Sequence, residues 1–475
     1  MIFGRKRHNA IALVAASAAP RPPIVRKKIA HEVLAETSQY AFFSFLDFTS
    51  VVYLRPVDLF PETFGTLPIV KILCFFTLLF CAPQLSKRLR VNELRKQPIL
   101  TCFLAFLGFA VFSQVTHAFF WWVKRAILDL ALLAIYLMAM VTIVDTPKRL
   151  EKLLKVMAGS ASLFVVLCML DFWGVLEFET IKELKQYTEG VDATGKPVFI
   201  YRMQGTGLFL DPNDLSQLIV LSSVIYAYFF SRKDNGTSRF LWAIPIAAMA
   251  LALVMTQSRG GLLALGASIM TIVAIHYGRK ACIGAAAAGV MGLLAVGGRQ
   301  ASVDLSGSTG GARLALWRDG FVSISGKDAI FGIGYGIYDE VAGQLAHNSF
   351  VHAYVETGLV GGTFFFGMWF FALISIIRMK SVGIDHLPDN LRQFHPYCAA
   401  LVVGYCVGMF SLSRNYVIPT YQILGVAIVY VNLVCVRLKP AQLLAYVDRP
   451  HFYKMVAGSA CCFLVFYLMV RIIAR

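Results

Sequence analysis

Apolar stretches of about 20 residues, the length that crosses hydrocarbon about 30 Å thick, recur from Tyr40 almost to the last residues of the chain. The runs and the polar breaks between them predict spans near 40–54, 67–83, 98–122, 126–145, 153–176, 215–231, 239–257, 260–277, 281–297, 350–377, 397–413, 418–436 and 454–473. The expected fold class is an all-α integral membrane protein of about 12–13 transmembrane helices. Two connections are much longer than the rest, roughly 177–214 and 298–349. Long loops without evident structure of their own tend to carry function. The second holds the Ser/Thr/Gly-rich stretch Gly307–Gly311, a short helix expected from Ala312, and the spaced glycines Gly332, Gly334 and Gly336. The chain thus divides into a basic tail (1–39), helices (40–176), a loop (177–214), helices (215–297), a loop (298–349) and helices (350–475).

Composition agrees, with 58% hydrophobic and 15% charged residues where soluble domains carry about 25% charged. A net charge of +17 raises nucleic acid as a partner. The Lys and Arg, however, lie in short runs between apolar segments and not on one soluble face, which excludes that class. They fit retention of positive charge in the cytoplasm, with anionic membrane lipids as partners. Arg5, Lys6, Arg7, Arg21, Arg26, Lys27 and Lys28 mark a retained cytoplasmic tail, and alternation then puts both long loops on the other side. Trp121, Trp122 and Trp173 fall at outer helix ends and Trp242 at an inner one, as interfacial rings should. Lys124 and Arg125, in a tight outer turn, are the local exception. All ten cysteines lie in or beside apolar segments and read as packing thiols.

Three places on the outer side concentrate unusual residues. Ser258-Arg259-Gly260-Gly261 joins two apolar helices. Arg259 either anchors to lipid headgroups or, with glycines that let the backbone approach, grips an anion such as phosphate. In Arg313-Leu-Ala-Leu-Trp317 the two end residues share one helix face. That pair suits a sugar phosphate, or an amphipathic helix at the membrane surface. Ala346-His347-Asn348-Ser349-Phe350 leads into His352, Glu356 and Gly358. His347 suits general base chemistry near neutral pH. Asn348, His352 and Glu356, four residues apart, form a polar stripe if helical. Glu356 either orients His352 or binds acceptor hydroxyls. Asp211-Pro212-Asn213-Asp214 before an apolar run favours helix capping by Asp211 and Asn213, with ligand contact as the other reading. Arg414, beside Asn415 and Tyr416, is a further candidate for phosphate or lipid contact.

Together, Ser258-Arg259-Gly260, Arg313-x-x-x-Trp317, Gly332-Ile-Gly334-Tyr-Gly336, His347-Asn348 and Glu356-x-Gly358-Leu359 resemble the O-antigen ligase and polymerase-like superfamily of bacterial envelope proteins. Phe209-Leu210-Asp211-Pro212-Asn213-Asp214 resembles a pattern of its exopolysaccharide members. The motifs span about 205–362. The resemblance implies an inverting, metal-independent glycosyl transfer without cofactor, at the periplasmic face of the inner membrane. The donor would be a glycan on undecaprenyl pyrophosphate, and the acceptor a glycan or lipid A-core hydroxyl. Arg259 and Arg313 would hold the pyrophosphate and His347 would activate the acceptor. Trp317, Asn348, His352, Glu356, Asp211, Asn213 and Arg414 would contact substrate. The competing class is a transporter or lipid flippase, whose marks would be Asp47, Gln114, His117 and Asp129 inside spans.

Overall fold

A computed structural model describes residues 38–473 apart from 89, 118–119, 192–196, 297–307 and 439–443. The expected cytoplasmic tail (1–39) thus falls almost wholly outside the described residues, as does the start of the 298–349 loop. The helices that matter here are α1 (Gln39–Leu54), α2 (Ile69–Arg88), α3 (Pro98–Val115), α4 (Phe120–Ile143), α5 (Pro147–Phe172) and α6 (Pro212–Ser231). They continue as α7 (Ala243–Thr256), α8 (Arg259–Val296), α9 (Ser308–Ser323), α10 (Ser349–Val382), α11 (Asp389–Gly408), α12 (Ile418–Arg437) and α13 (Arg449–Ile473). Among the described residues, 11 helices are long and apolar enough to cross a membrane. The chain is an all-α, multi-pass membrane protein.

The shortfall from thirteen has two sources. The first expected span forms α1, a helix of 16 residues, about 24 Å long at 1.5 Å per residue. The ninth belongs to α8, which is interrupted at Gly278 (φ 79°, ψ −174°). The Cys282 thiol reaches the Met270 carbonyl at 3.7 Å, whereas twelve residues of unbroken helix separate two atoms by about 18 Å. The chain therefore doubles back at Gly278, and the residues after it start a return helix.

Boundaries shift where capping chemistry outweighs hydropathy. α5 begins at Pro147 because Thr146 caps it, its hydroxyl accepting from Arg149 N at 3.3 Å. The span expected at 98–122 ends at Val115, and Trp121, Trp122, Lys124 and Arg125 all belong to α4. The two basic residues are thus not in a turn. They lie over the Trp121 and Trp122 rings at 5.8 Å and 5.2 Å, and Arg125 stands 3.7 Å from Asp129. The loop at 177–214 contains an unexpected antiparallel hairpin, β1 (Leu184–Val191) and β2 (Pro197–Arg202).

Burial separates centre from rim. In α12, 89% of the apolar window is inside the protein, against 22% in α2 and α13, so those two turn large side chains such as Phe75, Leu79, Leu464 and Leu468 outward. A membrane-facing surface explains such exposure in a chain of this hydropathy. At one end of the bundle Arg232 pairs with Glu151 at 2.8 Å, and Arg378 donates to Leu444 O at 3.0 Å. The starts of α6, α8 and α10 and the α11–α12 connection meet at the other end.

α10 is broken at Gly358 (φ 66°, ψ −174°). A broken helix frees carbonyls, which must find partners in a dry interior. Ile333 N donates to Val355 O at 3.0 Å and Gly334 N to Glu356 O at 3.2 Å. Ser113 Oγ also donates to Glu356 O, at 2.7 Å. Contact is so close that a Cβ on Gly332 would stand 2.1 Å from Glu356 O, and one on Gly358 2.2 Å from Ile330 O. Gly332 and Gly334 therefore seal a helix break, and that seal fixes Glu356.

Candidate active site

Asp211 caps α6, its Oδ1 accepting from Asn213 N at 2.6 Å. Ser258 Oγ donates to Asn213 Oδ1 at 2.7 Å and accepts from Gly261 N at 3.0 Å. One serine thus caps α8 and ties it to the start of α6, placing Arg259 in the first turn of α8. Gly260 and Gly261 leave no room for a side chain, since added Cβ atoms would stand 2.2 Å from Ser411 Oγ and 2.4 Å from Ser216 Oγ.

The same knot takes in the α11–α12 connection. Arg414 forms an ion pair with Asp214 and donates to Leu208 O at 2.7 Å. Its backbone N–H donates to Ser349 Oγ at 2.9 Å, and Asn415 Nδ2 donates to Ser349 O at 2.7 Å. Burial lowers the Arg414 pKa to about 10, with Asp211 opposing and Arg55 adding to the drop, so the guanidinium remains cationic near neutral pH.

His347 is half-buried and holds φ 48°, a left-handed conformation uncommon outside glycine that marks residues held by their surroundings. Burial pushes its pKa below the usual imidazole value; Arg313 adds to the fall and Asp211 opposes it. Burial likewise lowers Arg313, again against Asp211. The fields of Asp211, Arg313, His347 and Arg414 therefore overlap, although they come from four separate segments.

Trp317 is turned inward. Its indole N–H donates to Ala346 O at 2.7 Å, and its ring meets Phe466 edge-on at 5.6 Å, so it braces the residue before His347. Asn348 caps α10, with Oδ1 accepting from Phe350 N at 3.0 Å and Val351 N at 3.2 Å. His352 and Glu356 share the face expected of them, with Nε2 and Oε1 2.9 Å apart. Glu356 Oε1 also accepts from Tyr338 N at 3.2 Å. Both residues turn toward a cavity of 330 Å³ that also meets Arg125, Asp129, Tyr335, Ser413 and Tyr416. Asp129 thus borders a cavity together with Glu356, and Asp47 is exposed on the outer side of α1.

Arg55 and Ser413 are candidate site residues that sequence reasoning missed, and Tyr335 and Tyr416 were given no role there. Tyr335, inside the glycine-spaced motif, and Ser413 and Tyr416, flanking Arg414 and Asn415, stood next to features the sequence does show. Among the described residues no group of three or more His, Cys, Asp or Glu gathers as metal ligands.

No curated protein matches the chain. Residues 244–366 match the family model described as O-antigen ligase, and that segment contains Arg259, Arg313, His347, His352 and Glu356. The match shows the resemblance to the O-antigen ligase and polymerase-like superfamily, with glycan ligation or polymerisation in the envelope as the family-level activity.

Proposed function

We propose that the protein transfers a glycan from undecaprenyl pyrophosphate to a hydroxyl of an acceptor glycan, with inversion and without a metal, at the periplasmic face of a bacterial inner membrane. Neutral His347 takes the acceptor proton as the hydroxyl oxygen attacks the anomeric carbon. The bond from that carbon to the pyrophosphate oxygen breaks, and the leaving group departs with the electron pair. Arg313 and Arg259 meet its growing charge, and preorganised donors in a site shielded from water are effective at that task. Arg414, bound to Asp214, adds positive field and holds the wall. Trp317 positions the His347 loop.

The observation that carries this reading is the bond from Trp317, one turn beyond Arg313 on the same helix, to Ala346 O next to His347, and the downward shifts of Arg313 and His347 agree with it. An imidazole kept neutral beside a guanidinium is poised to accept a proton next to an anion. The test is envelope polysaccharide, resolved by size on a gel, from a deletion strain carrying wild type, Arg313→Ala or His347→Ala. Both variants should express and fail to restore polymer, and full restoration by both would sink the scheme. The material left behind separates ligase from polymerase: finished polymer still on its lipid carrier, or single repeat units.

A further inference from the structure

The 330 Å³ cavity is chemically unlike the arginine cluster beside it. Its wall includes Trp122, Asp129, Tyr335, His352, Glu356 and Tyr416, and Ser413, one residue before Arg414, joins the two regions. Glu356 is fully buried and His352 is 5% exposed. The buried Tyr416 hydroxyl meets the Glu356 carboxylate, and His352 Nδ1 and Ser413 Oγ are buried without a hydrogen-bond partner. Each such atom costs about 1–3 kcal/mol, and native interiors leave few of them. Two around one hollow, beside a fully buried carboxylate, mark a wall built to be completed by something polar.

The sign of the charge narrows what that is. Asp129, Asp339, Glu340 and Glu356 face the cavity, against Arg125 alone among the described Lys and Arg side chains there, and Arg125 is already 3.7 Å from Asp129. Phosphate and carboxylate are repelled by such a wall, whereas hydroxyl and ammonium donors are welcomed. Trp122, Tyr335 and Tyr416 supply rings against which the C–H face of a sugar packs. The volume lies at the small end of ligand sites, about 300–1,000 Å³, enough for a sugar unit and too little for a polyprenyl tail. His352 is five residues beyond His347, in the first turn of α10 after its Asn348 cap, so the two histidines lie at the same helix end.

We infer that this cavity holds the terminal unit of the acceptor glycan, and that it selects a neutral or amine-bearing sugar over an acidic one. The inference rests on the proposed transfer reaction, which supplies the need for an acceptor beside His347. Glu356 and His352 hold its hydroxyls, and the aromatic rings hold its face.

The test uses full-length protein in lipid nanodiscs and saturation-transfer NMR. The probes are the methyl glycosides of glucose, galactose, mannose and rhamnose, then glucosamine and glucuronate, with inorganic pyrophosphate titrated separately. At least one neutral or amino sugar should bind saturably, and glucuronate should not. Glu356→Gln should weaken that binding at least tenfold. Because Glu356 is fully buried, Trp122→Ala at the half-buried rim serves as the second variant and should weaken it comparably. Neither should alter pyrophosphate binding, which Arg313→Ala should abolish without touching sugar binding. The inference is overturned if no sugar saturates, if both cavity variants bind as wild type does, or if glucuronate binds best. Sugar binding without any pyrophosphate binding would instead defeat the donor assignment and leave the cavity standing.

Discussion

Gly332→Ala and Gly343→Ala place the same methyl group on two backbones of the same sign, φ 81° and φ 76°, in opposite surroundings. A Cβ at Gly343 would meet nothing within 4 Å. That variant should lose only the left-handed penalty, about 1–2 kcal/mol, partly offset by a stiffer unfolded chain, about 0.4–1 kcal/mol. At Gly332 the Cβ would stand 2.1 Å from Glu356 O, 2.2 Å from Glu356 C and 2.4 Å from Thr357 N. All three are backbone atoms of the helix break, so no side chain can swing away. With ψ 171° the residue also lies in a region used almost solely by glycine, at about 1–3 kcal/mol, and forced overpacking adds roughly 1–3 kcal/mol more. The expected loss is therefore roughly 2–6 kcal/mol, against about 1 kcal/mol for Gly343→Ala. Thermal unfolding of the purified protein in one detergent, followed by tryptophan fluorescence, ranks the two. Equal midpoints for both variants would show that the 330–334 segment does not seal the break and that Glu356 is fixed by something else.

His347→Ala should reduce transfer by about 10²–10⁴-fold; a loss below threefold in a single-turnover assay removes it as base. Because burial and Arg313 depress the His347 pKa, its neutral form persists below pH 6.5, so the rate should stay flat through neutrality and fall only on the acid side. Asp211 raises that pKa, so Asp211→Asn, which keeps a good helix cap, should move the acid limb to lower pH; a limb displaced upward contradicts the assignment. Trp317→Phe keeps the packing on Phe466 but deletes the bond to Ala346 O, worth about 0.5–1.5 kcal/mol. Its activity should drop up to about tenfold with the thermal midpoint nearly held, and unchanged activity would deny Trp317 a positioning role. Transfer in excess EDTA should match that in buffer, and a strict divalent-ion requirement would replace the arginine scheme.

The helical architecture was legible because hydrocarbon demands long apolar runs, a constraint that overrides most local preference. The hairpin of β1 and β2 was not, since alternation over so few residues, with Tyr187, Phe199 and Tyr201 exposed, does not stand out from a polar loop. The break at Gly358 was hidden for another reason. A lone glycine in an apolar run is tolerated in an unbroken helix, and its partner, Gly332, lies 26 positions earlier. Residue types gave Arg313, His347 and Asp211 as candidates, but no pattern along the chain encodes that segments a hundred residues apart share one electric field. Arg125 and Asp129 illustrate the opposite case: they read as a topological blemish and as an ion-pathway mark, and the fold gives them a common cavity wall.

The tie between Asp214 and Arg414 also says something about timing. These residues are separated by 200 positions, and chains emerge from the ribosome from the N-terminal end. Asp211, Arg259, Arg313 and His347 are all synthesised and inserted before the segment that locks α6 to α10. Until α11 has crossed and the 412–417 connection has emerged, the cluster lacks both Arg414 and the anchor on Ser349. A half-made chain therefore carries these residues without their frame. The cluster takes its final arrangement only when synthesis is almost finished.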